Sequence, residues 1–182
     1  MAKRTRATRL RTETRQDQVV QAALDLVGRR GMRALTVAAI AAEVGVVPSA
    51  IYRHFRGKGE VVDAVLGLIG QRLVENTRLV CEDTSDAEER LRLLHLRHVR
   101  LIRENRGVPR LVFSEDVYGD DPERKRRLND VIQAYRERVA GIVRQGQQEG
   151  TLRSDMPPEA VSLLFLGLIQ PAAILWHTSD GS

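Results

Sequence analysis

Aromatic residues are scarce in this sequence: they make up 4% of its 182 residues, although 42% of the residues are hydrophobic. Most of the hydrophobic residues are Leu, Val, Ala and Ile, a balance that favours packed helices over a β-sandwich. A chain of this length can bury a core as one ordinary domain, or as a small module joined to a larger one. We therefore expect an all-α protein.

Cysteine is nearly absent, because Cys81 is the only one. An internal disulfide is therefore excluded, and the single thiol is expected to serve as a small packing residue. The basic segment at residues 1–11 is not followed by the apolar core of a secretory signal peptide. Both features lead us to expect a protein of the reducing cytoplasm.

Long hydrophobic runs are also scarce, and only one stretch is long enough to be compared with a membrane-spanning helix. Residues Ala160 to Trp176 are nearly all apolar, but they include Gln170 and Pro171. The stretch only reaches the lower limit of about 17 residues for a helix that crosses a bilayer. We interpret it as a buried helix and expect no membrane partner.

The sequence has none of the common motifs of catalysis or cofactor binding. It contains no GxSxG elbow, no GxxxxGK[ST] phosphate loop, no HExxH motif and no paired cysteines. His95 and His98 lie one helical turn apart, but no nearby residue completes a convincing set of metal ligands. We therefore expect that the protein is not an enzyme and that it has neither a cofactor nor a metal site.

Positive charge is concentrated in the first third of the chain. Residues 1–60 contain 12 Lys and Arg against 5 Asp and Glu, a balance of +7, whereas residues 61–182 contain 17 against 19, a balance of −2. Clustered cations gain free energy by displacing counterions from a phosphate backbone. This asymmetry favours a polyanion as the partner of the N-terminal third, with an ordinary solvated surface as the alternative.

Residues 36–55 are predicted to form two helices joined by a short glycine turn. Thr36 is a good N-cap for the first, and Gly45 provides the bend. Pro48 suits the first turn of the second helix, in which Ile51 and Phe55 lie four residues apart and are expected to point inward. Such a helix-turn-helix leaves the second helix free to enter a DNA major groove about 12 Å wide.

Other helices are predicted on both sides of this unit. Thr14 and Asp17 have capping-box spacing, and apolar residues then recur at helical intervals up to Gly31. Residues 1–13 are basic and have no apolar period, which indicates a flexible arm. Later helices are predicted from Glu60 to about Val80, from Ser85 to about Asn105, from Val108 to Val117, from Pro122 to about Glu149, and after Pro157 and Pro158.

Three segments between residues 14 and 66 resemble the TetR family of transcriptional regulators: TRQDQVVQAALDLVGRRG, LTVAAIAAEVGV and IYRHFRGKGEVVDAVL. The resemblance implies a homodimeric repressor that binds an inverted repeat in double-stranded DNA and leaves it when a small-molecule effector binds. It also implies a basic arm at 1–13, a helix-turn-helix DNA-binding domain at 14–59, and a helical ligand-binding and dimerisation domain at 60–182. The apolar stretch from Ala160 to Trp176 is the expected dimer surface.

The resemblance also assigns roles to individual residues of the helix-turn-helix. The positions that match the family's base-facing residues are Pro48, Ser49, Ala50 and Tyr52. The positions that match its phosphate contacts are Arg53, His54 and Lys58, and Thr36 lies where a helix N-terminus meets the DNA backbone. Hydroxyls and helix N-termini donate to phosphate oxygens, and Lys and Arg add positive charge.

The C-terminal part carries weaker signals. Side chains that could line an effector cavity are Arg97, His98, Leu101, Phe113, Tyr118, Tyr135 and Trp176. Aromatic residues at helical spacing pack in cores more often than they bind ligands, so this set is one interpretation of the pattern. Two alternatives to the ligand-gated repressor are a DNA-binding organiser controlled by a protein partner and, with least support, a small helical enzyme.

Overall fold

The structure is a computed structural model that describes residues 2–119 and 121–178, without the side chains of residues 2–14, 116, 118 and 170–178. Over these ranges every regular element is a helix, which confirms the predicted all-α class. The helices are α1 (Ala2–Arg30), α2 (Val37–Val44), α3 (Pro48–Tyr52), α4 (Lys58–Asp83), α5 (Ala87–Glu104), α6 (Gly107–Val112), α7 (Glu115–Tyr118), α8 (Pro122–Glu149) and α9 (Pro158–Thr178), with a 3₁₀ turn at Met32–Ala34.

The first helix starts earlier than predicted. We expected it to begin near Thr14, after an irregular arm, but α1 is continuous from Ala2 to Arg30. Residues 2–13 contain neither Gly nor Pro, and four of these twelve residues are Arg, a good helix former. The capping-box spacing at Thr14 is therefore overridden by the propensity of the residues before it.

The chain packs as two compact units, the first made of Met1–Leu68 and Asn105–Arg124. In this unit α6 lies against α1 at a point of close backbone approach. A Cβ atom placed on Gly107 would lie 2.1 Å from the carbonyl oxygen of Leu24 and 3.1 Å from the amide nitrogen of Gly28. The glycine at 107 is therefore what allows the two helices to approach so closely.

Polar contacts accompany this approach of α6 to α1. Arg110 Nη1 donates to the Val27 carbonyl at 3.4 Å, and Gln21 Nε2 lies 3.4 Å from Oδ1 of the buried Asn105.

The first unit does not end at the predicted domain boundary between residues 59 and 60. It also includes the start of α4 and residues 105–124. The cause is a set of contacts between segments about 80 residues apart, which local sequence patterns do not report.

The second unit consists of Ile69–Glu104 and Lys125–Ser182. Its core contains Leu94 of α5, Tyr135, Val139 and Val143 of α8, and Phe165 of α9. The bounds of α8 agree with the prediction, and Gly150 follows it with a φ of 75°. No helix within residues 2–119 and 121–178 is long and apolar enough to cross a membrane.

Two helix boundaries in the middle of the chain differ from the prediction. The N-cap of α5 is Asp86, not Ser85, because Asp86 Oδ1 accepts the Glu89 amide at 2.7 Å. The single helix expected over 108–117 is instead the pair α6 and α7. The sequence between them, Phe113 and Ser114, forms a turn in which the Ser114 amide donates to Leu111 at 3.3 Å.

Candidate nucleic-acid interface

The first helix of the helix-turn-helix, α2, has a defined cap at each end. The Ala39 amide donates to Thr36 Oγ1 at 3.1 Å, so Thr36 is the N-cap that the sequence predicts. At the other end Gly45 has a φ of 74°, the left-handed conformation that glycine favours. The Val46 amide donates to Ala41 and the Gly45 amide to Ala42, at 2.9 and 3.2 Å, which is the Schellman arrangement.

The second helix, α3, is short and is held from behind. It begins at Pro48 and ends at Tyr52, and both Ile51 and Phe55 are buried in the first unit, as predicted. The prediction extended this helix to residue 55, whereas the chain turns at Arg53 and His54. The amides of His54 and Phe55 both donate to the Ile51 carbonyl, at 2.9 and 3.0 Å, and this turn brings Phe55 back onto the core.

The residues assigned to base contacts lie on the outer side of α3. Pro48, Ser49 and Tyr52 are exposed, and Ala50 is half-buried. Val47, the residue before the helix, is exposed as well and provides no side-chain cap. Val47 is a further candidate for this surface, and the sequence signal for it is an apolar residue at a position that favours Ser or Thr.

The residues assigned to phosphate contacts lie at the ends of neighbouring helices. Arg53 is exposed at the C-terminus of α3, His54 is half-buried in the turn, and the half-buried Lys58 is the first residue of α4. Exposed Thr36 stands at the N-terminus of α2. Helix N-termini direct amide groups and a partial positive charge outward, so both helix starts favour an anion.

One cation near this surface is partly neutralised. Arg56, which is exposed, has its amide bonded to Glu60 at 2.7 Å, and its Nε lies 3.4 Å from the same carboxylate. Arg53 and Lys58 have no carboxylate partner among the residues that the structure describes. They therefore retain the charge that a phosphate contact requires.

The residues assigned to an effector cavity are only partly brought together. His98 Nδ1 and the Tyr135 hydroxyl lie 3.0 Å apart, and their rings meet edge to face with centroids 5.2 Å apart. Burial lowers the pKa of His98 to about 4, with a smaller contribution from His95, and burial also raises the pKa of Tyr135. Near pH 7 both side chains are therefore neutral.

The other members of that set are placed differently. Leu101 is buried on the same helix as His98, whereas Arg97 forms an ion pair with Asp83 at 2.8 Å. Phe113 does not join the second-unit core, because it belongs to the first unit and is exposed. The side chains of Tyr118 and Trp176 lie outside the described residues.

A metal site is not formed by the described side chains. His95 lies edge to face with Phe165, with ring centroids 5.8 Å apart, and so packs as an aromatic residue. No cluster of three His, Cys, Asp or Glu side chains that could hold a metal ion occurs in the described part of the chain.

Two family models match the sequence over most of its length. Residues 19–65 match the bacterial regulatory proteins of the tetR family. Residues 84–182, more than half of the chain, match the tetracyclin repressor-like C-terminal domain. The first match contains the whole helix-turn-helix described above.

Among curated proteins, the chain is 29% identical to the nucleoid occlusion factor SlmA of Klebsiella pneumoniae over 140 residues, which cover 76% of this chain and 69% of that protein. Among solved structures, the fatty acid degradation regulator FadR from Bacillus halodurans superposes with a TM-score of 0.79 at 21% identity, covering 91% of this chain and 85% of that one. FadR from Bacillus subtilis in complex with stearoyl-CoA gives a TM-score of 0.76 at 20% identity, covering 90% and 87%.

Proposed function

The chain belongs to the TetR family of bacterial regulatory proteins, and on that premise we propose that it is a repressor that binds an operator inverted repeat as a homodimer and leaves it when a small molecule binds. Membership in the family makes it a DNA-binding regulator and not an enzyme. The observation that carries the proposal is the geometry of α3 and the turn that follows it, which bury Ile51 and Phe55 while Ser49, Tyr52 and Arg53 face solvent.

Base recognition in this proposal depends on few side chains. Ser49 and Arg53 can form hydrogen bonds to base edges, and Ala50 or Val47 can contact a thymine methyl group. Because so little polar surface faces outward from α3, we propose that DNA shape and deformability contribute much of the selectivity. Thr36, His54 and Lys58 then position the helix by contacts with phosphates.

The dimer is proposed to form through α9. Leu163, Leu164 and Leu168 of this helix are all exposed, and Gly167 between them is exposed too. Adjacent exposed leucines on one helix are a common feature of surfaces that bind another protein. If a second copy covered these leucines around a two-fold axis, the dimer would present two copies of α3 to half-sites roughly 34–36 Å apart.

The effector is proposed to act through the second unit. Support comes from the structural neighbour solved with stearoyl-CoA, and from the neutral pair of His98 and Tyr135, which offers hydrogen-bonding groups within an apolar interior. The continuous helix α4 runs from the first unit into the second, so it is the proposed connection. A coupling of about 1–3 kcal/mol would change operator occupancy roughly 5- to 150-fold.

A second candidate is a DNA-binding organiser that responds to a protein partner. The similarity to nucleoid occlusion factors of enteric bacteria favours it. In both candidates the chain acts on DNA, for which a cytoplasmic location is proposed.

The experiment that tests the proposal is selection of bound duplexes from random DNA, followed by challenge of the complex with a metabolite pool. We expect a symmetric site to be enriched and one class of compound to release it. A symmetric site that no compound releases would favour the organiser. If no sequence were enriched by the intact chain, while the Arg53→Ala and Lys58→Ala variants behaved identically to it, the proposed DNA interface would be wrong.

A further inference from the structure

A groove of about 460 Å³ lies in the second unit, and neither His98 nor Tyr135 lines it. It is lined by α4, α5 and α8, and its volume lies within the range of about 300–1,000 Å³ that is typical of small-molecule sites. Buried Thr77 and Ile142 contribute to the lining, together with Gly141. None of the residues predicted to bind an effector belongs to it.

Three arginines line this groove, and they differ in how their charge is balanced. Arg78 is neutralised by two carboxylates, since it bonds Glu82 and also bonds Glu75 at 2.6 and 2.8 Å. Among the residues that the structure describes, no carboxylate pairs with Arg90 or Arg138.

Arg90 is held in place by neutral oxygens. Its Nε donates to the Thr84 carbonyl at 2.7 Å, one Nη donates to the Cys81 carbonyl at 3.2 Å, and the other bonds the side chain of Gln145. These bonds fix the guanidinium at the C-terminal end of α4, whose partial negative charge offsets only part of the charge of the guanidinium. A positioned cation of this kind is prepared for an anion, because little side-chain entropy remains to be lost on binding.

Arg138 is exposed, and no hydrogen bond or ion pair to it is formed by the side chains and backbone that the structure describes. Gly141 lies one turn further along α8. A Cβ atom added there would meet no atom within 4 Å, so the space beside the helix is open. The groove thus combines two guanidinium groups that have no carboxylate partner among the described residues with an apolar surface at Ile142 and free room. Its lining also includes Glu82, whose carboxylate is bonded to Arg78.

We propose that this groove binds a small organic oxyanion with a short aliphatic body, a carboxylate or a phosphate monoester. Arg90 and Arg138 hold the oxyanion by charge-assisted hydrogen bonds, for which the planar guanidinium is well suited. The aliphatic body lies against Ile142 and the methyl group of Thr77. This site is additional to the effector response proposed above and does not depend on it.

Cys81 provides the measurement, because it is the only cysteine, it is exposed, and it lines the groove. The rate of its alkylation by N-ethylmaleimide is followed by intact mass, with octanoate, octyl phosphate or octanol as the added probe. Octanoate or octyl phosphate should slow the reaction saturably, and the one that acts at lower concentration identifies the preferred head group. Octanol at the same concentrations should have no effect.

Three variants make the test specific. Arg138→Gln should raise the concentration needed for half-protection by roughly threefold to tenfold. Gly141→Leu should fill the open space and abolish protection while the helix content is retained. Arg126→Gln removes an exposed arginine from the same helix outside the groove and should change nothing.

The outcomes that overturn this proposal are distinct. Equal protection by octanol would mean apolar adsorption without an anion site, and equal losses in Arg138→Gln and Arg126→Gln would mean a general charge effect. Absence of both protection and saturable heat in calorimetric titration would exclude the site. Because none of these measurements uses DNA, failure here leaves the repressor proposal standing, and failure of duplex selection leaves this site standing.

Discussion

Ile51 and Tyr52 are adjacent in the sequence but have opposite environments, since Ile51 is 1% exposed and Tyr52 is 57% exposed. Replacing each by alanine should therefore separate stability from DNA recognition. Ile51→Ala should lower the free energy of unfolding by about 2–5 kcal/mol because it leaves a cavity in a packed core. Tyr52→Ala should change it by less than about 0.5 kcal/mol and alter which duplexes are preferred. Urea titration and competitive duplex binding measure the two effects, and equal destabilisation would contradict the assigned orientation of α3.

Replacement of Lys58 tests the proposed contacts with DNA phosphates. Lys58→Ala should weaken binding to all duplexes nearly uniformly and reduce the salt dependence, the slope of log K against log salt, by about one. Arg138→Ala removes an equal charge from the exposed surface of the second unit, outside the residues that match the DNA-binding family model, and is the matched control. Titrations across salt concentrations decide the matter; an unchanged slope for Lys58→Ala would show that Lys58 contacts no phosphate.

The approach of α6 to α1 predicts a contrast between two glycines. In Gly107→Ala the new methyl group would lie 2.1 Å from the Leu24 carbonyl oxygen, so the helices must separate. The free energy of unfolding should fall by about 1–3 kcal/mol or more. In Gly67→Ala, within α4, the methyl group meets nothing within 4 Å and should stabilise the protein by roughly 0.5–1 kcal/mol. Thermal and urea unfolding of both variants measure whether the free energy of unfolding falls in Gly107→Ala and rises in Gly67→Ala.

Burial of His98 predicts a dependence of stability on pH. Its pKa is lowered to about 4 in the folded chain from an ordinary value of 6.5, so the unfolded chain binds more protons between these values. The contribution of the neutral imidazole is therefore complete above about pH 6.5 and is lost as the pH falls to about 4, an effect of up to about 3 kcal/mol.

Comparison of His98→Gln with the unmodified chain isolates this effect. The fall in the free energy of unfolding between pH 7 and pH 4 should be smaller in His98→Gln than in the unmodified chain. If His98→Gln and the unmodified chain lost stability in parallel, protonation of His98 would not be the cause.

The proposed dimer surface on α9 can be tested by replacing one of its exposed leucines with a negatively charged residue. Leu164→Glu or Leu168→Glu should yield monomers in sedimentation equilibrium, because a buried unpaired carboxylate in an apolar interface costs several kcal/mol. Leu96→Glu changes an exposed leucine of α5 instead and should leave the association state unaltered. Dimers that persist in both α9 variants would rule out this face of α9 as the interface.

The parts of the fold that could be predicted are those governed by nearby residues. Thr36, Gly45 and Pro48 each act through their own backbone geometry or through an atom within a few residues, so the helix-turn-helix follows from the sequence. The same is true of α8, which begins at a proline and is followed by a glycine with positive φ.

The remaining features depend on residues far apart in the sequence. The seating of α6 on α1 needs Gly28 and Gly107 to meet, and the pairing of His98 with Tyr135 spans 37 residues. The network that fixes Arg90 joins it to Gln145 on another helix. Periodicity and capping signals describe single helices, so they could not specify these contacts or separate Phe113 from the other residues assigned to an effector cavity.

Cleavage of DNA from a single position tests the central claim most directly. An iron chelate that generates hydroxyl radicals is attached to residue 49 in a Ser49→Cys, Cys81→Ser chain, and the bound duplex is cut and sequenced; the Cys81→Ser chain, which has no cysteine for attachment, is treated in the same way as the control. The account predicts cuts centred on the major groove of each half-site from residue 49 and none with the Cys81→Ser control. Cuts from residue 49 that are absent, or spread evenly along the duplex, would contradict the placement of α3 in the groove.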